Sequence, residues 1–168
     1  MKQDLLTATT GEYFSFVDDD DMVEPDYVAV ILEAMASHAD YISFDHAYYE
    51  NGVCYPKPVR TGLDMPGWGS PQLDTELPYL PRDVTQVNPV RTVIAQQGDF
   101  TMKSEGMEDW SWVKMVRPLL KTQARIDRVL YHYFHDPLNS NQGRLAPHTY
   151  DEPLEVNSPA FRWIGASS

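Results

Sequence analysis

The order of apolar and polar positions divides the chain into short elements of changing period. Glu12 to Val17 (Glu-Tyr-Phe-Ser-Phe-Val) is an apolar and aromatic run that follows the polar turn Thr7 to Gly11, and it predicts a buried strand. The run stops at Asp18-Asp19-Asp20-Asp21. A helix is predicted to open near Pro25, because proline suits a first helical position and acidic residues favour that end. Val28, Ile31, Leu32 and Met35 recur at helical spacing and are expected to face the core. Tyr41 to Tyr49 predicts a strand, Glu50-Asn51-Gly52 a hairpin turn, and Val53 to Pro56 the returning strand. Val90 to Gln97 predicts a short helix closed by Gly98. Ser104 to Met107 predicts a turn, and Glu108 to Leu120 a helix with Trp112, Val113, Val116 and Leu119 on one side. Arg125 to Phe134 alternates imperfectly and predicts another strand. Strands interleaved with helices place the chain in the α/β class.

Two stretches break this rhythm. Residues 61–83 hold Gly62, Gly67 and Gly69 with Pro66, Pro71, Pro78 and Pro81, and predict a long loop around Trp68. Beyond Asp136-Pro137 the chain is polar and proline-rich, so a single domain over 1–140 is expected, followed by a tail or lid over 141–168.

Composition narrows the function classes. The 168 residues carry a formal charge of −12, which repels nucleic-acid phosphates and argues against nucleic acid as a partner. An anionic substrate would need a local cation to overcome that field. The single cysteine, Cys54, rules out an internal disulfide, fits a reducing compartment, and is expected to be a packed small residue on a strand. No stretch approaches the ~20 apolar residues of a membrane span. Met1-Lys2-Gln3-Asp4 lacks a signal-peptide pattern, so a cytoplasmic protein is expected.

The acidic run lies at the carboxyl end of a strand, where ligands of open α/β sheets collect. Adjacent like charges repel, a cation relieves that repulsion, and carboxylates suit magnesium or manganese. Such an ion keeps positions for substrate phosphates. Alternate residues of an extended segment point the same way, so Asp18 and Asp20 would act together. The same run would also serve as a solvated loop that caps the next helix through Asp21 or Glu24. An EF-hand loop is disfavoured, because its glycine is missing.

Gly11 to Asp21 followed by Pro25 resembles the Asp-X-Asp segment of family-two glycosyltransferases of the GT-A fold. Glu108-Asp109-Trp110 is similar to the acidic pair of that family, and Leu130 to Ser140 to its tyrosine-bearing strand. The resemblance implies a truncated GT-A-like, Rossmann-related mixed sheet flanked by helices and lacking the first βα units, which carry most contacts to the nucleotide base. It implies an inverting transferase that uses a nucleoside-diphosphate sugar, by family habit a UDP-sugar, and a hydroxyl acceptor. Asp18 would sit near the ribose or sugar and Asp20 would ligate manganese or magnesium, with Asp19 or Asp21 substituting or assisting, since four consecutive aspartates leave the register open. Asp109 would be the general base, with Glu108 beside it in the motif. A late histidine would complete the metal shell, either His132 or His135. Two residues separate these, so a regular strand turns them to opposite faces, and His132 is preferred as strand-borne. Arg144 would close over phosphate and Trp68 would stack on a sugar, although each also reads as an ordinary surface or packed residue. Exposed sheet edges would favour pairing with another copy. The rival readings are a non-catalytic metal or sugar-nucleotide binding module and a slow sugar-nucleotide hydrolase.

Overall fold

The computed structural model describes residues 2–65, 76–101 and 108–135, and the backbone of 161–164. Its spine is two parallel strands, β3 (Tyr41–Glu50) and β8 (Gln123–His135), paired from Tyr41↔Gln123 to Glu50↔His135. Residues 41–47 are all buried, as expected of a central strand covered on both faces. On one edge of β3 lie in turn β7 (Val90–Arg91), β5 (Val59–Thr61) and the hairpin partner β4 (Val53–Cys54). β1 (Tyr13–Phe14) extends the sheet beyond β7, and β6 (Leu80–Arg82) beyond β5. β2 (Met22–Val23) and β9 (Phe161–Ile164) pair antiparallel with the other edge of β8. The result is a mixed sheet of nine described strands.

Alternation sends the buried side chains of β3 to two cores. Tyr41 joins Leu6, Phe14, Phe16, Phe100, Trp112 and Val116 beneath α1 (Lys2–Ala8), α3 (Thr92–Ala95) and α4 (Glu108–Val116). Ile42 and Phe44 join Ile126, Leu130 and Tyr131 beneath α2 (Tyr27–Met35). No described helix is long and apolar enough to cross a membrane.

Several sequence expectations are corrected. The apolar run after Gly11 is a strand only at Tyr13–Phe14, because Phe16 leaves the ladder to hydrogen-bond its N–H to Gln86 O at 3.0 Å. α2 buries Tyr27, Ile31 and Ala34, whereas Val28 and Leu32 are 65% and 59% exposed. Val90 and Arg91 form a strand before α3 because Tyr41 and Tyr13–Phe14 supply ladder partners on both sides. Gly98 is no left-handed cap; a Cβ there would stand 2.4 Å from the Trp112 indole, so this glycine makes room for the core. Cys54 is exposed rather than packed. Within 61–83 the backbone forms β6, and within 141–168 it forms β9. α1 had no sequence signal at all.

Candidate active site

A cavity of about 240 Å³ opens against the carboxyl halves of β3 and β8. His46, Tyr48, Tyr131 and Tyr133 line it from these strands, Arg82 from β6, and Asp109 from the first turn of α4. Asp18 enters from the acidic run.

The four aspartates do different things. Asp21 N–H donates to Asp18 O at 3.2 Å and closes a turn, so the segment is not extended and alternation does not govern it. Asp18 faces the cavity, Asp19 and Asp20 are exposed at the turn, and Asp21 folds back onto β8. Tyr131 OH donates to Asp21 Oδ2 at 2.6 Å, and Phe134 N–H donates to Oδ1 at 2.8 Å. Burial nevertheless pushes the Asp21 carboxyl up to about 7, more than these donors lower it. Asp21 is thus a brace rather than a free ligand.

Asp109 is held from two sides. Lys2 Nζ donates to its Oδ1 and Oδ2 at 2.9 and 3.1 Å, and Gln86 Nε2 donates to Oδ2 at 2.9 Å. Lys2 also lies 3.5 Å from Asp18 Oδ1, so one ammonium spans both carboxylates. Burial pulls the Lys2 ammonium down, but Asp109 and Asp18 more than offset this and hold it above its ordinary range. Burial raises the Asp109 carboxyl, Lys2 pulls it back in part, and the charges of Asp18 and Glu108 add to the rise. Both directions are consistent, because Asp109 feels two further carboxylates besides its lysine. Glu108 is half-buried and is not among the cavity's lining residues. Lys2 was missed in the sequence because Met1 to Thr10 offered no periodic pattern. Leu6, wholly buried, anchors α1, and Gln96 Nε2 caps it by donating to Leu6 O and Thr9 O at 3.2 and 3.1 Å.

The buried His46 and the partly buried Arg82 complete the wall. Burial presses His46 down to about 3, so its ring is neutral. Asn88 Nδ2 donates to Ile42 O, so Asn88 Oδ1 is the acceptor for His46 Nε2–H at 3.1 Å. Burial likewise lowers the Arg82 guanidinium.

The histidines resolve against the preference for His132. Its ring lies between Glu24 Oε1 at 2.7 Å and Tyr49 OH at 3.3 Å, on the face of β8 opposite the cavity-lining Tyr131 and Tyr133. His135 shares the cavity face and lies beside Tyr48 and Tyr133, at ring separations of 6.2 and 6.4 Å. Trp68 and Arg144 fall outside the described residues.

No cluster of three or more metal-ligating side chains occurs among the described residues. Asp18 lines the cavity, while Asp19 and Asp20 are exposed at the turn. A hard ion can be held by one or two carboxylates, retaining waters and taking its remaining ligands from substrate phosphates.

Comparison with known sequences adds one finding. Residues 3–99, more than half of the chain, match the model of the family described as glycosyl transferase family 2. No curated protein matches the chain.

Proposed function

We propose, because the chain belongs to glycosyl transferase family 2 and its function is glycosyl transfer, that it moves a sugar from a nucleoside diphosphate, uridine diphosphate by preference, to an acceptor hydroxyl with inversion. The observation that carries this reading is Lys2. It gathers Asp18, inside the matched segment, and Asp109, beyond it, at one cavity.

Each residue has a distinct task. Asp109 takes the proton of the acceptor hydroxyl at Oδ1 or Oδ2 as that oxygen attacks the anomeric carbon. The bond from the anomeric carbon to the diphosphate oxygen breaks, and its electron pair leaves with the diphosphate. Lys2 and Gln86 fix the carboxylate so that it meets the hydroxyl without reorganising. Asp18 orients the donor ribose or sugar, with Asp19 assisting. Asp20 and Asp18 would hold magnesium or manganese, which supplies charge neutralisation for the departing diphosphate.

The test is transfer and donor binding measured side by side. Asp109→Asn is expected to lower turnover by about 10²–10⁴-fold while calorimetric binding of uridine diphosphate stays unchanged. Asp20→Ala is expected to remove the manganese dependence of that binding. Wild-type turnover in Asp109→Asn would reject the base, and unchanged manganese-dependent affinity in Asp20→Ala would reject the metal ligand.

A further inference from the structure

We propose that the rings of Tyr48, Tyr133 and His135 form the acceptor subsite, and that the acceptor is an uncharged sugar ring stacked against them. This rests on the reading of Asp109 as the base, and it names the substrate class that base serves.

The two faces of the β3–β8 pair differ. On one face Tyr49 and Phe134 stack at 4.6 Å, and His132 is held by Glu24 and Tyr49. Phe134 and His132 are only 7% and 8% exposed, so these rings pack the protein itself. On the other face Tyr48, Tyr133 and His135 form a triangle with centroids 5.6, 6.2 and 6.4 Å apart and interplanar angles of 29°, 33° and 10°. Tyr133 is 37% exposed, and Tyr48 and His135 are half-exposed. Three aromatic rings gathered at a cavity mouth form a contiguous exposed patch of the kind that marks ligand-binding grooves.

Position says what covers them. Tyr48 and Tyr133 line the cavity that holds Asp109, and His135 is the next residue outward on the same strand face. An acceptor hydroxyl must come within hydrogen-bond reach of Asp109. The body of the acceptor therefore lies against the wall that begins in the cavity and runs outward. That wall is aromatic with a polar rim: Tyr55 OH donates to Glu50 Oε2 at 3.2 Å, and the Tyr55 ring packs edge-on against Tyr48. Apolar faces bordered by hydrogen-bonding groups suit a sugar, whose C–H face is apolar and whose edge is hydroxylated. A uridine ring would also stack here, so uridine diphosphate is kept at saturation in the test, and a glycoside signal that it abolishes would overturn the acceptor assignment.

Saturation-transfer NMR on the full chain tests this, with magnesium and uridine diphosphate present. The probes are the methyl glycosides of glucose, galactose and N-acetylglucosamine at millimolar concentration, with glycerol as a polyol lacking a ring. Saturation of the aromatic protons is expected to reach the ring C–H protons of at least one glycoside and not glycerol. Tyr133→Leu is expected to cut that signal by about fivefold, the worth of one aromatic contact, and Tyr133→Phe to keep it. If Tyr133→Leu fails to fold by circular dichroism, Tyr48→Leu serves in its place. A silent wild type, or equal signals in wild type and the leucine variant, would overturn the subsite. Calorimetry of uridine diphosphate on the same samples separates the two readings. Retained nucleotide binding without glycoside signal rejects the subsite alone. A glycoside signal without nucleotide binding rejects the donor reading and leaves the carbohydrate site standing.

Discussion

Lys2 and Asp109 stand 107 positions apart in the chain and 2.9 Å apart in space. A neighbouring cation favours the ionised form of a carboxyl, so removing it must raise Asp109 further above its ordinary range. Lys2→Met should shift the acid limb of the pH profile of kcat/KM to higher pH, while Lys2→Arg should leave it nearly in place. A limb that stays put in Lys2→Met would mean that this lysine only anchors α1. Gly98 gives a second test at this scale. A methyl there would lie 2.4, 2.6 and 2.7 Å from Trp112 and Val116 atoms in a closed core. Gly98→Ala should cost about 1–3 kcal/mol, read from urea midpoints, and a change within error would show that α4 can shift. Asp18 and Asp109 were legible because each sits in a local motif. Lys2 and the packing role of Gly98 were not, because both are set by partners distant in sequence.

The elements show why His132, the preferred of the two late histidines, faces away from the cavity. β3 and β8 pair as Tyr41↔Gln123 and Ser43↔Arg125, then as Asp45↔Val129 and His46↔Tyr131. β8 therefore absorbs three extra residues, two between Ser43 and Asp45 and one between Asp45 and His46, in one bulged stretch, and an odd total reverses which of its positions share a face with β3. Continued without the bulge, the opening register would set His132 against Glu50. With it, His135 takes that place. Nothing in Arg125 to Phe134 announces the bulge beyond the imperfect alternation. The place and type of β3, β8, α2 and α4 were legible, because long apolar or periodic runs need only local information, although α4 stops at Val116 rather than Leu120. Short strands such as β6 and β7 were not, because two or three residues extend only where a neighbour offers its ladder.

At the scale of the molecule, the acidic run is tied to β8 through Asp21. The folded carboxyl titrates at about 7, against an ordinary value of 3.8. Between those values the folded protein keeps a proton that the unfolded chain has released, so stability falls as pH rises through that window. Without added metal, urea midpoints should decline from pH near 4 towards pH near 7, and Asp21→Asn should flatten the decline. A slope that survives the substitution would assign it to other groups. The α/β class and family were readable because one compact motif carries them. The sheet order was not, since β2 and β9 reach β8 from opposite ends of the chain.

That arrangement has a consequence for self-association. Along its outer margin β8 is already engaged by Met22–Val23 at one end and by Phe161–Ile164 at the other. A second copy arriving by strand addition would find β8 itself covered, and among the described strands β1, β2, β4, β6 and β9 each have one neighbour and form the sheet's edges. A visitor docking on β6 would stand next to Arg82, so its arrival would reshape the rim through which substrates enter.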